Sequence, residues 1–160
     1  MQALTPITSA ATASTVLRGN FVLLRADTLR LVLPQDDVKS TDYLQQRPVE
    51  FDAETGLLHI PEAADGAVYV AVSPEMRLLH ACPEDRFVST SLQGLEVRWC
   101  WSEVRVLINT ELHPEPLPPV LLAPLSPLRE IVAIGDEWAF MCTADILQQF
   151  ALAQGGQTHG

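Results

Sequence analysis

The stretch FVLLRADTLRLVLP, residues 21–34, decides the fold class of this chain. Two short apolar runs, residues 21–24 and 29–33, flank the turn-forming sequence Ala-Asp-Thr at positions 26–28. Apolar runs of this length with a turn signal between them are typical of paired strands. We therefore predict a β-hairpin that closes before Pro34, because proline has no N–H group to donate to a strand ladder.

Further strands are predicted at intervals typical of an all-β barrel or sandwich. They lie at residues 57–60, 68–72, 86–92 and 95–101. In the last of these segments, one set of alternate residues is apolar, namely Leu95, Val97, Trp99 and Trp101. The residues between them are Glu96, Arg98 and Cys100. Successive side chains of a strand point to opposite faces, so the pattern predicts one face that packs two tryptophans into a core.

The last part of the chain combines a proline-rich connector, a hairpin and a helix. Six prolines in residues 113–128 argue against helix or central strand, so we expect an extended segment that lays its apolar side chains across the domain. These side chains are Leu117, Val120, Leu121, Leu122 and Leu125. Residues 131–134 and 137–140 predict a second hairpin with a Gly-Asp turn. Thr143 predicts the N-cap of a short helix that ends before Gly155.

Composition and charge exclude several classes of partner. The chain has 160 residues, of which 48% are hydrophobic, enough for one core without disulfides or metals. Ten Lys and Arg residues stand against twenty Asp and Glu residues, which gives a net charge of −10, and Lys39 is the single lysine. Nucleic acids and anionic membranes are bound mainly through clustered basic residues, so neither is expected. The sequence also lacks an apolar run of about 18 residues, so we expect no membrane insertion.

Both ends of the chain are small and polar, which predicts three parts. These are a flexible N-terminal segment at residues 1–17, a single β domain at 18–153 and a flexible C-terminal tail at 154–160. The first sixteen residues do not read as a secretory signal, since they contain no basic residue and no apolar block. The cysteines Cys82, Cys100 and Cys142 are widely spaced in apolar surroundings, which suits free thiols in a reducing compartment. The predicted location is therefore the cytoplasm.

The candidate chemical groups do not form a convincing catalytic or metal site. A zinc site would have to use His80 and Cys82 together with His59 or His113. No CxxC, HxxxH or HExxH spacing joins these residues, so we favour scattered surface and core residues. Cys100 and Cys142 are interpreted as buried thiols rather than nucleophiles, although Cys142 precedes a predicted helix N-terminus.

The charged residues also favour structural roles. The adjacent acids Asp36-Asp37 and Glu84-Asp85 are typical of exposed loops rather than of an acid–base pair. Several arginines recur along strand-like segments, and we expect them to pair with the surplus carboxylates. They are Arg25, Arg30, Arg98 and Arg105. Because no glycine-rich phosphate loop occurs either, we predict no catalytic residue, metal or cofactor, and a protein that is not an enzyme.

Three segments of the chain resemble the CheW-like domain family. Residues 21–34, followed by an acidic residue and valine, resemble its opening strand, turn and second strand ending in Leu-Pro. Residues 95–107 resemble a strand that runs into another acidic residue plus valine, and residues 128–140 with the helix from Thr143 resemble the final hairpin and closing helix. The likeness covers most of residues 20–152. It implies two small five-stranded SH3-like β-barrels packed around a shared core, with a short C-terminal helix.

The resemblance also implies a function and a contact surface. CheW-like proteins are non-enzymatic adaptors of bacterial chemosensory or motility signalling, which implies a histidine kinase regulatory domain, a chemoreceptor-like protein or both as partners. By the same resemblance, the partner is expected to contact apolar β-barrel surface at Val38, Thr41, Leu44, Tyr69, Val70 and Val72. Two alternatives stay open. One is a small ligand-binding β-barrel or enzyme with a pocket near Trp99 and Trp101, and the other is a structural accessory protein that has lost the signalling contacts.

Overall fold

The predicted hairpin of residues 21–34 lies at the centre of the first of two sheets. The structure, a computed structural model, describes residues 16–61, 66–122 and 126–157. Strand β1 spans Leu17–Ala26 and strand β2 spans Leu29–Pro34, paired antiparallel. Asp27 adopts the left-handed backbone conformation (φ 56°) in the turn between them, a conformation that aspartate tolerates better than most residues. The hairpin prediction is therefore confirmed.

Four later strands complete this first sheet, which we call sheet A. They are β9 (Glu103–Leu112), β10 (Glu115–Pro116), β11 (Glu130–Ile134) and β12 (Glu137–Met141). The strand order is β10-β11-β12-β2-β1-β9. β12 runs parallel to β2, and the other neighbours are antiparallel. The second predicted hairpin is therefore present as β11 and β12.

The second sheet, sheet B, comes from the middle of the chain. Its strands are β3 (Val38–Tyr43), β4 (Glu50–Asp52), β5 (Leu57–His59), β6 (Val68–Val70), β7 (Val88–Leu92) and β8 (Leu95–Trp101). The strand order is β3-β7-β8-β6-β5-β4, with β6 parallel to β8. The mainly-β prediction is confirmed, but each sheet has six strands rather than five. No closed ring of strands is found among the described residues.

The closing helix is longer than predicted. Helix α1 spans Ala144–Gln157, and Thr143 Oγ1 accepts a hydrogen bond from Ile146 N at 3.1 Å, as the predicted N-cap requires. The expectation that the helix ends before Gly155 is wrong, because a glycine in a last turn weakens a helix by only about 1 kcal/mol without forbidding it. Residues 154–157 of the predicted tail are thus helical, and residues 158–160 lie outside the described part.

The other predicted end segment and the connector need two corrections. Residues 1–15 lie outside the described residues, and Leu17 already belongs to β1. Leu117 is buried as predicted, but its apolar neighbours in the connector face solvent. The exposed side chains are Val120, Leu121 and Leu122, while Leu125 is not among the described residues. Two residues of the connector form β10, which is possible despite Pro116 because β10 is an edge strand.

Among the described residues, three groups of buried side chains pack against the central strands of the two sheets. The central core lies between sheet A, sheet B and α1, and includes Leu24, Leu31, Trp99, Trp101 and Leu147. The sheet A core, on the other face of β1 and β2, includes Phe21, Leu23 and Val32. The sheet B core includes Leu58, Tyr69, Cys82 and Cys100. The tryptophan face of β8 is packed as predicted, and the opposite face is buried at Cys100 as well. The central strands of both sheets are therefore buried on both faces, whereas β3 and most of β9 are exposed.

Candidate functional site

Part of the predicted contact surface lies along one edge of sheet B. Val38 begins β3, Thr41 lies within it, and Leu44 directly follows its last residue. In the described part of the chain β3 pairs with β7 on one side, and no strand lies on its other side. Thr41 is exposed, while Val38 and Leu44 are half-buried. The structure thus places Val38 and Thr41 on this edge strand and Leu44 directly after it, with the side chains of Val38 and Leu44 packed against the central core and the sheet B core.

The remaining predicted contact residues are in the core and need a correction. Tyr69, Val70 and Val72 are 5%, 1% and 0% exposed. Strand β6 lies between β5 and β8, and its successive side chains enter the sheet B core and the central core in turn. An apolar run of this kind is typical of a strand buried on both faces. A partner cannot reach these side chains in this fold, so the candidate surface is limited to β3 and its surroundings.

The backbone of β3 leaves hydrogen-bonding groups directed away from the sheet. Leu44 N donates to Phe87 O at 2.8 Å, so Leu44 and Phe87 form a hydrogen-bonded pair across the two strands. Hydrogen-bonded and non-hydrogen-bonded pairs alternate in an antiparallel ladder. Asp42, two residues before Leu44, therefore also forms a hydrogen-bonded pair, and its N–H and C=O groups point toward β7. The N–H and C=O groups of Thr41 and Tyr43 point outward, toward the open side.

Two exposed aromatic side chains lie at the end of this edge. Tyr43 is 84% exposed, and Phe87, at the entry to β7, is 57% exposed. Aromatic residues are enriched at the centres of protein interfaces. The sequence reasoning did not single out either residue, because an aromatic residue beside a strand is more often buried. Tyr43 carried a usable signal, since it ends the polar run Lys-Ser-Thr-Asp that cannot belong to a core.

The same edge carries a negative charge. Residues 36–43 contain three aspartates and one lysine. Asp36 and Asp42 are exposed. Lys39 pairs with Glu96 of β8, with Nζ and Oε1 3.1 Å apart, so its charge is locally compensated. The open side of β3 is therefore an acidic surface.

Asp37, just before β3, hydrogen-bonds to the N-terminus of α1 and to the β7–β8 turn. Its Oδ2 atom accepts a hydrogen bond from Ala144 N at 2.9 Å, and its backbone oxygen accepts one from Gln93 N at 2.9 Å. A carboxylate at this place satisfies a free helix amide and faces the positive end of the helix dipole. Of the adjacent acids predicted in an exposed loop, Asp36 is exposed, whereas Asp37 is half-buried and caps α1.

A charged cluster that the sequence did not predict joins the two sheets. The side chain of Arg86 is 0% exposed. Its Nη1 atom donates to the carbonyl oxygens of Val72 at 3.1 Å and Cys100 at 3.4 Å. The guanidinium also lies 3.4 Å from Oδ2 of Asp27, in the β1–β2 turn, and 3.4 Å from Oδ1 of Asp85. The cluster ties the β1–β2 turn of sheet A to the segment before β7.

The two carboxylates of this cluster have shifted pKa values. A hydrogen bond with Asp85, followed by burial, raises the pKa of Asp27. The same hydrogen bond, helped by the charge of Arg86 and by Ser102, lowers the pKa of Asp85. Ser102 Oγ donates to Asp85 Oδ2 at 3.2 Å. Paired carboxylates with separated pKa values occur in acid–base sites. Here the guanidinium of Arg86 lies between them, is buried and donates to backbone carbonyls, which favours a structural role.

The arginines of sheet A pair with carboxylates as predicted. The N–O distances are 3.0 Å for Arg25–Glu103, 3.0 Å for Arg30–Glu137 and 3.9 Å for Arg105–Glu137. Arg98 of β8 donates to the hydroxyl oxygen of Tyr69 at 3.2 Å, and its guanidinium lies 5.8 Å from the ring centroid. These four side chains do not form a patch for an acidic partner.

The thiols are buried, as the sequence predicted. Burial raises the pKa of Cys142 to about 12, so the nearby helix N-terminus does not activate it. Cys82 and Cys100 lie together in the sheet B core. The hydrogen bond between these two thiols raises the pKa of Cys100, with burial adding to the effect, and lowers that of Cys82. A cysteine nucleophile needs an accessible thiolate, and Cys100 and Cys142 are 1% and 2% exposed.

The tryptophan region does not line an open pocket. Trp99 and Trp101 are 1% and 0% exposed, and Trp101 Nε1 donates to Thr90 Oγ1 at 2.9 Å. Clefts occur elsewhere on the surface. One of about 450 Å³ is lined by Glu50, Phe51, Asp52 and His59, and another of about 360 Å³ by Phe21, Met141, Cys142 and Ile146, among others. Over the described ranges, no three His, Cys, Asp or Glu side chains are grouped so that they could hold a metal ion.

Comparison of the sequence with protein-family models and with curated proteins finds no match. Among the described helical segments, none has the length and apolar character needed to cross a membrane. The site geometry is therefore the basis for a functional conclusion.

Proposed function

We propose that this chain is a non-enzymatic adaptor that docks a partner protein along the exposed edge of β3. The observation that carries this proposal is the open strand edge itself, with outward backbone groups at Thr41 and Tyr43 and an 84% exposed tyrosine ring. Strand edges and exposed aromatic rings are features that recognise proteins rather than transform small molecules. The buried thiols and the paired arginines of sheet A support the same proposal, because a buried thiol does not act as a nucleophile and a paired guanidinium is less available to bind a substrate.

The resemblance to CheW-like domains extends the proposal to a pathway and a partner. We place the chain in bacterial chemosensory or motility signalling, in the cytoplasm, with a histidine kinase regulatory domain, a chemoreceptor-like protein or both as partners. The two sheets would correspond to the two SH3-like barrels of that family. The position of Val38 and Thr41 on the edge strand β3, with Leu44 directly after it, supports this extension.

Binding measurements with a matched pair of variants test the proposal. The purified chain is titrated by calorimetry with the histidine kinase regulatory domain and with the cytoplasmic coiled coil of a chemoreceptor from the same organism. Tyr43→Ala should weaken binding about tenfold, since a central interface aromatic contributes about 1–2 kcal/mol. The control is Trp138→Ala, because Trp138 is also exposed (55%) but lies on β12 of sheet A.

The outcomes are distinct. Binding by the wild type, with loss in Tyr43→Ala and none in Trp138→Ala, supports the adaptor and its site. Equal weakening in both variants contradicts the site. Binding of neither partner at physiological salt contradicts the signalling adaptor and favours the accessory protein that has lost these contacts.

A further inference from the structure

We propose that the outer edge of β3 binds an extended, positively charged segment of the partner as an added strand of sheet B. The inference rests on the proposed function, and it specifies the chemistry of the segment and the way in which it binds. It follows from the outward direction of backbone N–H and C=O groups on β3, from a comparison with the other sheet edges and from the local charge.

The backbone of β3 offers a ladder for another strand. The groups of Thr41 and Tyr43 that point outward are two residues apart, which is the repeat of hydrogen-bonding groups on one side of a strand. The ladder to β7 is irregular between Val38 and Ser40, but it pairs residues 40–43 in regular order. Unpaired edges of this kind accept an additional strand from a partner.

The other sheet edges are less suitable. β4 has three residues, and β10 has two, one of which is a proline. β9 is long, but its pairing with β1 is shifted between Gly19 and Phe21, and Asn109 has a left-handed backbone (φ 52°). Bulges and short lengths are the devices by which proteins protect edge strands from pairing. β9 pairs regularly with β1 over residues 103–107, but its carboxylates Glu103 and Glu111 are paired with Arg25 and Arg18. β3 is regular over residues 40–43 and carries the exposed side chain of Asp42, and among the described residues no strand lies on its outer side.

The local charge selects a basic segment. Asp36 and Asp42 are exposed on this edge, and the charge of Lys39 is compensated by Glu96. The whole chain carries a net charge of −10. A positively charged segment would be attracted to this surface, whereas an acidic one would be repelled.

The side chains of β3 indicate the pattern of that segment. Tyr43 is opposite Val88 in the register, so its side chain lies on the same face as Val88, and it is exposed on the edge strand. An apolar side chain on the added strand would pack against this ring, as cross-strand neighbours do. The expected segment therefore alternates apolar or β-branched residues with lysine or arginine.

Peptide binding gives a direct test. The labelled peptide Lys-Val-Lys-Thr-Lys-Val-Lys, which has this alternation, is titrated with the full chain and followed by fluorescence anisotropy. Two matched peptides serve as controls: one has Glu in place of each Lys, and one carries N-methyl groups on alternate backbone amides. The basic peptide should bind, and both controls should bind at least tenfold more weakly. Equal binding of the N-methylated peptide would rule out strand addition, and equal binding of the acidic peptide would rule out the charge preference.

Variants of the chain test the position. Thr41→Pro removes an outward N–H group and should leave folding intact, because the ladder to β7 does not use it, while peptide binding falls at least tenfold. Asp42→Pro should instead destabilise the fold, because the N–H of Asp42 faces β7. Asp42→Lys keeps the backbone and should weaken the basic peptide about fivefold while strengthening the acidic one. Unchanged peptide binding in both Thr41→Pro and Asp42→Lys would overturn the inference.

The same variants separate this inference from the proposed function. If the kinase domain binds wild type and Thr41→Pro equally well, the adaptor function stands and strand addition at β3 fails. If the kinase domain does not bind but the basic peptide binds through Thr41, strand addition stands and the assignment to histidine kinase signalling fails.

Discussion

The buried side chain of Arg86 contacts Asp27 in the β1–β2 turn, Val72 after β6 and Cys100 in β8. Arg86→Met would keep the apolar stem but leave the carbonyl oxygens of Val72 and Cys100 without this donor. Each unpaired buried group costs about 1–3 kcal/mol, so for two groups we expect the free energy of unfolding to fall by about 2–6 kcal/mol. Urea titration measures this loss. Arg77→Met, at an exposed position, is the control and should change stability by less than about 0.5 kcal/mol. Similar losses in the two variants would contradict the role of Arg86.

Asp27 should make stability depend on pH in an unusual direction. The folded protein raises the pKa of Asp27 above the ordinary value of 3.8, so the ionised carboxylate lowers the stability of the fold. This loss of stability is complete at pH values above the folded pKa. It vanishes at pH values well below 3.8, where Asp27 is protonated in both the folded and the unfolded state. Asp27→Asn tolerates the turn conformation and retains a hydrogen-bond donor. We expect it to raise the free energy of unfolding at pH 7, with the gain lost at pH 3, in urea titrations. Asp85→Asn should be destabilising at pH 7, because the pKa of Asp85 is lowered. A pH-independent gain in Asp27→Asn would contradict this account.

Helix α1 depends on a cap that comes from a different element. Asp37→Ala removes the acceptor of Ala144 N, and we expect a loss of about 1 kcal/mol in the free energy of unfolding. Native-state hydrogen exchange should show faster exchange of the Ala144 amide. Asp36→Ala is the matched control, since Asp36 is exposed and adjacent, and it should leave that amide unchanged. Unaltered exchange in Asp37→Ala would argue against the cap.

At the scale of elements, the sequence predicted strands where the local pattern was strong. The alternation around Trp99 and Trp101 gave β8 its correct bounds, because period-2 alternation is a local signal. β3 is mostly polar and exposed, so its strand conformation comes from pairing with β7, which no short window contains. The burial of Tyr69 was missed for the same reason. Whether a short apolar run is a surface or a core strand depends on what packs against its second face.

The whole molecule should unfold in one cooperative transition. The central core takes side chains from sheet A, sheet B and α1, so neither sheet keeps its packing when the other is lost. Tryptophan fluorescence and far-UV circular dichroism should therefore give coincident urea transitions. Trp101→Ala should cost about 3–5 kcal/mol, and the exposed Trp138→Ala far less. Two separate transitions in the wild type would show that the sheets are independent.

The cap between Asp37 and Ala144 also has a consequence for the order of events during synthesis. The two residues are 107 positions apart. A ribosome therefore makes the whole of sheet B before it makes the amide that Asp37 receives. During that interval the carboxylate of Asp37 has no helix amide to accept from, and β7 is the one strand that can pair with β3 among the described residues. The start of β3 therefore gains its hydrogen bond to the helix only after residue 144 has been synthesised.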